Sequence, residues 1–310
     1  MAAARTASKK STTVRKNLTL TLLRLRYRLG SWLAPASTLR SAFELFGTPM
    51  PRPRAKARAL DVAGAQVHEL PVGEERLSVY AWGDTATQPR VLLAHGWSSF
   101  GLWLLPWVAP LRRAGFAVIA FDQTGHGRST GRRAHLPLFA DGVERVAGHY
   151  GPLAGVVGHS LGGAASAVAL SRGLQAGRAV LLAPAADPLD AAGRFGGFIG
   201  LAPHLSLRIF DDFQARTRFT LADFQAQTTA PRIACPALVV HDLGDREVPW
   251  AEGERYARYW PQATLLSTTG LGHHRIANDP KVIAQGIAFL QGRAVGQRVV
   301  STPALPFGVC

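Results

Sequence analysis

The chain is short of cysteine, of long apolar runs and, over its first sixty residues, of acid; each scarcity excludes something. Only two cysteines occur, Cys235 and Cys310, and no C-x-x-C pair. That rules out a disulfide framework or a zinc knuckle and points to a reducing compartment, so a cytoplasmic location is expected. No apolar stretch reaches the ~18 residues that read as a membrane span. The leucine-rich run at residues 18–23 is cut short by Arg24, Arg26 and Arg28, with no cleavage site after it, which argues against a secretory signal. There is no H-E-x-x-H and no internal repeat.

The scarcity of acid is local. Residues 1–60 carry 13 Lys/Arg against one acid, Glu44, which is about +12 of the net +15. The other 250 residues hold 22 basic and 19 acidic side chains. The basicity therefore belongs to an extension, taken as residues 1–58, and the domain at 59–310 is close to neutral. No specific nucleic-acid partner is expected. Apart from Met1 and Val14, residues 1–16 are Ala, Ser, Thr, Lys and Arg, a composition that favours disorder. From Leu18 onward, Leu22, Leu25, Leu29 and Leu33 recur at helical spacing. This reads as one basic amphipathic helix within 16–33, although Leu18-Thr-Leu-Thr-Leu also alternates like a strand; the helix would suit either peripheral contact with an anionic membrane or docking on its own domain. Pro49, Pro51 and Pro53, interleaved with Arg52, Arg54, Lys56 and Arg58, read as an extended linker.

Beyond the linker, short runs apolar on both faces alternate with helical patterns. Residues 66–70 and 76–82 predict a hairpin. Residues 90–94, 116–121, 153–157, 179–182, 238–240 and 263–266 predict strands, and 100–113, 139–150, 163–170 and 280–290 predict helices. The fold class is α/β, a mainly parallel sheet with helices on both faces. The rhythm fails over about 184–231, a stretch with Phe195, Phe198, Phe210, Phe213, Phe219 and Phe224. An insertion there is expected to form a small helical lid over the C-terminal edge of the sheet, where such folds bind ligands.

The chemistry is concentrated in Gly158-His159-Ser160-Leu161-Gly162. A strand precedes it and the small-residue segment 163–170 follows, the setting of a nucleophile elbow. Such a turn exposes the Ser160 hydroxyl and aims a helix N-terminus at the reaction site. A serine hydroxyl needs a base, an acid to orient the base, and donors for an oxyanion. In this arrangement the acid and the histidine follow the serine in chain order. His273, in Gly270-Leu-Gly-His273-His274, is the candidate base, with His274 the alternative. Adjacent side chains point apart, so the pair cannot serve together, nor hold a metal. Asp245 is the candidate acid, in the loop after strand 238–240; Asp242, Glu247 and Asp187 are the alternatives. The backbone N–H groups of Trp97, after His95-Gly96, and Leu161 are the candidate oxyanion donors. His95, Asp122 and His126 read as scaffold. No cofactor and no metal are expected.

Four signatures stand in order: His95-Gly96-Trp97, Asp122-x-x-Gly-His-Gly-Arg-Ser129, Gly158-His-Ser-Leu-Gly-Gly163, and Asp245 with Gly270-x-Gly-His273. Together they resemble the α/β-hydrolase superfamily over about residues 60–292. The Gly-His-Gly-Arg-Ser stretch is similar to the serine-hydrolase branch that includes monoacylglycerol lipases and carboxylesterases. The resemblance implies nucleophile Ser160, acid Asp245, base His273 and oxyanion amides at Trp97 and Leu161. It also implies cofactor-free cleavage of a small-molecule carboxylic ester through an acyl-enzyme. Phe100, Trp103, Trp107 and the lid phenylalanines suggest an apolar acyl chain. Acyl transfer, thioester or amide cleavage would use the same parts. An interaction protein that keeps the hydrolase scaffold at a membrane is the reading from a different class.

Overall fold

The computed structural model describes residues 2–211, 214 and 220–299, with side chains from residue 18 onward. Phe213, Phe219 and Cys310 lie outside the described residues. Three helices open the chain: α1 (Ala2–Leu33), α2 (Pro35–Phe46) and α3 (Pro51–Ala59). The backbone is thus helical from Ala2, across a stretch whose composition gave no reason for order; its alanines, lysines and arginines are good helix formers once a helix is nucleated downstream. The stretch expected as an extended linker is also helix. Its prolines fall at the start, with Pro51 at the first helical position, where an absent amide proton leaves no bond unmade.

The hairpin follows as β1 (Gln66–Val72) and β2 (Glu75–Trp82), then β3 (Arg90–Ala94). A 3-10 segment, Gly101–Trp107, leads into α4 (Val108–Arg113), and β4 (Ala117–Phe121) into α5 (Leu136–Tyr150). Next come β5 (Leu153–His159), α6 (Leu161–Ser171), β6 (Ala176–Leu182), α7 (Pro188–Ile199) and α8 (Pro203–Ser206). Strands β7 (Ala237–Asp242) and β8 (Ala263–Thr268) complete the sheet, with helices at Trp250–Tyr259 and Pro280–Leu290.

The eight strands run in the order β1-β2-β4-β3-β5-β6-β7-β8. Strand β2 is antiparallel to both its neighbours, β1 and β4; every other pair is parallel. Strands β4 and β7 are buried along their whole length, as strands covered on both faces must be. Helix α6 is buried from Gly162 to Leu170, which is why it is small and apolar all round and lacks a polar stripe. Under the sheet, Trp107 is fully buried, its Nε1–H donating to the Ala277 carbonyl at 2.7 Å. The indole occupies the space left at Gly286, where a Cβ would come within 2.6 Å of it.

Contacts divide the chain into two compact units, Met1–Gly47 with Pro188–Thr220, and Thr48–Asp187 with Leu221–Cys310. The larger contains the whole sheet. In the smaller, α1 packs through the face carrying Tyr27 and Ser31. The Tyr27 hydroxyl lies 3.1 Å from Ser41 Oγ, and Ser31 Oγ accepts from the Ala202 amide. Phe46 sets its edge against Phe195 and Phe210, at 5.0 and 5.5 Å between ring centroids. Two of the phenylalanines expected to shape a lid are therefore packing residues of this unit. Among the described residues no helix is long and apolar enough to cross a membrane.

Trp107→Ala should cost about 3–5 kcal/mol, through lost burial and the cavity left behind. Urea unfolding of the variant against the parent checks this; an unchanged midpoint would contradict the packing described.

Candidate active site

Strand β5 delivers Ser160 at the C-terminal edge of the sheet, between two neighbours in the middle of the strand order. The serine adopts φ 53°, ψ −120°, a sparsely populated conformation for a residue with a side chain. Close packing enforces it. A Cβ on Gly162 would lie 2.4 Å from the carbonyl oxygens of both Ala94 and His95, and one on Gly158 2.7 Å from the Gly162 carbonyl. Backbone therefore touches backbone on both sides of the turn, and the Ser160 amide donates to Leu182 O on β6 at 2.9 Å.

His273 lies buried on the single helical turn Gly272–Arg275. The Ser160 hydroxyl donates to its Nε2 at 2.9 Å, and its Nδ1–H donates to Asp245 Oδ2 at 2.7 Å. Asp245 Oδ1 accepts from the amides of Glu247 and Val248 at 2.8 and 3.0 Å. Burial works against the charged form of this carboxyl. Hydrogen bonding from His241 and His273 and from the Val248 amide overcomes it, holding Asp245 well below the usual carboxylate range. Ser160 itself keeps only 9% of its surface, less than the exposed hydroxyl expected of an elbow. The His273 ring sits on its oxygen and Gly96 closes on its Cβ, 3.0 Å from where a Gly96 Cβ would stand.

The alternatives are engaged elsewhere. His274 is exposed and pairs with Glu247 at 2.9 Å, a hydrogen bond that raises the histidine's pKa. Asp242 accepts from the amides of Gly244 and Leu271 and from Thr268 Oγ1, fixing the loops that carry Asp245 and His273. Asp187 bonds Gln225 and Arg255. The amides of Trp97 and Leu161 donate to no acceptor among the described residues, and Leu161 is the first residue of α6.

Two positioning residues escaped the sequence reading. His159, inside the elbow, donates from Nε2 to the His273 carbonyl at 2.9 Å, tying the base's backbone to the serine's strand. His241, at the end of β7, donates to Val248 O at 2.9 Å, with its Nε2 3.5 Å from Asp245 Oδ2. The only signal was position, each next to a candidate. Phe100 and Trp107, thought to line an acyl site, belong to the core under the sheet. Trp103 remains half-buried, its ring 4.9 Å from that of His159.

Three imidazoles near the site are held neutral. His95 and His126 each direct Nδ1 to a carbonyl and accept a backbone N–H at Nε2, from Gln123 and Ser98, both at 3.0 Å. A proton on Nε2 would face that amide hydrogen. Burial lowers His95 to about 4 and both His126 and His159 to about 3.

No curated protein is similar enough in sequence to count as a relative. A family model described as serine aminopeptidase, S33, matches residues 85–220. Among solved structures, a membrane phospholipase A, a bacterial virulence factor, shares 19% identity at TM-score 0.59, over 90% of this chain and 98% of its own. The thioesterase domain from the curacin biosynthetic pathway shares 20% at TM-score 0.55, over 74% and 99%. The esterase RhEst1 from Rhodococcus sp. ECU1013 shares 18% at TM-score 0.54, also over 74% and 99%. At such identities the likeness is one of fold.

An acid-sensitive fold follows from the three histidines. Unfolded, each takes up a proton near pH ~6.5; folded, they resist to about 3–4, so between these values the unfolded chain binds more protons and stability is lost as pH falls. Each should cost roughly 1–2 kcal/mol by pH 5. The urea midpoint should drop steadily from pH 7 to pH 4; a flat profile would contradict the neutral assignment.

Proposed function

The chain belongs to the α/β-hydrolase superfamily, and from that premise we propose that it is a serine hydrolase cleaving carboxylic esters through an acyl-enzyme. One observation carries the reading: the Ser160–His273–Asp245 hydrogen-bonded line, at 2.9 and 2.7 Å. Ser160 Oγ attacks the ester carbonyl as His273 Nε2 takes its proton. Asp245 holds Nδ1 protonated and stabilises the imidazolium that forms. The oxyanion rests on the amides of Trp97 and Leu161, aided by the N-terminus of α6. The C–O bond to the alcohol breaks, His273 returns the proton to the departing oxygen, and the acyl group stays on Ser160. Water, losing its proton to His273, then attacks the acyl carbonyl; the acid leaves and the proton returns to Ser160.

The acyl group is apolar in this proposal, and Trp103 supports it as the half-buried aromatic beside the elbow histidine. The names of similar structures include a phospholipase, a thioesterase and an esterase, all acyl hydrolases. A thioester presents the same carbonyl with a better leaving group, so a paired oxyester and thioester panel sets the preference.

Ser160→Ala and His273→Ala should each lower kcat/KM on p-nitrophenyl esters by ~10³–10⁶-fold, and Asp245→Asn by ~10²–10⁴-fold. His274→Ala should stay within about threefold, since its partner is Glu247 and not Ser160. If His274→Ala were the inactive variant, or Ser160→Ala kept parental turnover, the mechanism would be wrong. Trp103→Ala should reduce turnover of palmitate more than of acetate; equal loss on both would remove it from the acyl site.

A further inference from the structure

Helix α1 presents two opposite faces. Tyr27 and Ser31 are 3% and 4% exposed and face α2 and the segment after α7. Diametrically opposite, Leu18, Leu22, Leu25 and Leu29 are 51–58% exposed, and Trp32 and Leu33 79% and 82%. At ~100° per residue these six fall within about a third of the helix circumference. Arg26 and Arg28 border the stripe, ~80° to either side. Of the 13 exposed large apolar side chains among the described residues, these six share one helix, so the exposure is a continuous stripe and not scattered surface.

We propose that this stripe is a docking surface for an anionic lipid bilayer, with α1 lying in the interface plane. Within its own unit α1 packs through the other face, so the leucines take no part in that packing. Charge selects the occupant. Residues 1–33 hold eight Lys/Arg and no acid, so a second copy of the helix would bring positive borders against positive borders. An anionic surface meets both features at once: headgroups accept the arginines while leucines enter the acyl boundary, and Trp32 suits the headgroup level. Nucleic acid would satisfy the charge and leave the stripe in water. The helix does not cross: it is not long and apolar enough.

The test is co-sedimentation of the full-length protein with vesicles of phosphatidylcholine alone or mixed equally with phosphatidylglycerol, at low and high salt. The protein should partition onto the mixed vesicles roughly tenfold better than onto neutral ones, and less as salt rises. Leu22→Gln/Leu25→Gln/Leu29→Gln should lose about tenfold or more of that binding, and Arg26→Glu/Arg28→Glu should lose the anionic preference. Both variants change exposed positions away from the packed face, so circular dichroism and thermal midpoint should match the parent and certify that they fold. Absence of the parent from mixed vesicles at low salt would overturn the proposal. So would undiminished binding by the leucine variant, which would assign the contact to the basic residues alone. A parent dimer that the leucine variant dissociates, without vesicle binding by either, would assign the stripe to self-association.

Discussion

The site depends on one close approach, that of Gly162 to the carbonyls of Ala94 and His95. With no Cβ at 162, the start of α6 can lie against the end of β3, and the chain can leave β5 in a turn sharp enough to hold Ser160 at positive φ. That placement brings Gly96 against Ser160, whose Cβ lies 3.0 Å from where a Gly96 Cβ would stand. It also fixes where a base must stand. The strain in one residue, on the order of 1–3 kcal/mol, is offset by the continuous burial of α6 and by the parallel pairing of β5 with β3 and β6.

Around this turn, charge is sorted by hydrogen bonding. Asp245 is ionised because donors converge on it in a buried loop; His95, His126 and His159 are neutral because burial, and at His95 and His126 an incoming amide, reject a second proton. The two sets do different work. The neutral imidazoles pin the loops at 95–98 and 122–126 and the turn bearing His273, while the carboxylate orients the His273 ring. The same devices that position the site make the fold sensitive to acid.

The sheet was legible because its strands are short runs apolar on both faces, a pattern few other structures produce, and β3 and the last helix fall where the sequence put them. Ser160, His273 and Asp245 were legible as candidates because the elbow fixes chain order, and the structure brings those three within hydrogen-bonding distance. The roles of His159 and His241 were not: a buried histidine beside a candidate looks the same whether it tethers or merely fills space. Composition also misled. The prolines at 51 and 53 suggested a break, yet at the start of a helix they fit. The leucines of α1 suggested a face for a membrane or for the chain's own domain; within its unit the helix packs through Tyr27 and Ser31, polar enough to hydrogen-bond across helices. Spacing identifies a stripe; it does not say which side of the helix the rest of the chain will cover.

The central claim is that Ser160 is activated by the His273–Asp245 pair. The most direct test is intact-mass and peptide mapping after brief exposure to a fluorophosphonate, which reacts with activated serines and leaves ordinary ones untouched. The account predicts a single adduct per chain, located on the peptide containing Ser160, and no adduct at the same exposure in His273→Ala. An unlabelled parent protein, an adduct on another serine, or labelling of Ser160 at the parental rate without His273 would contradict it.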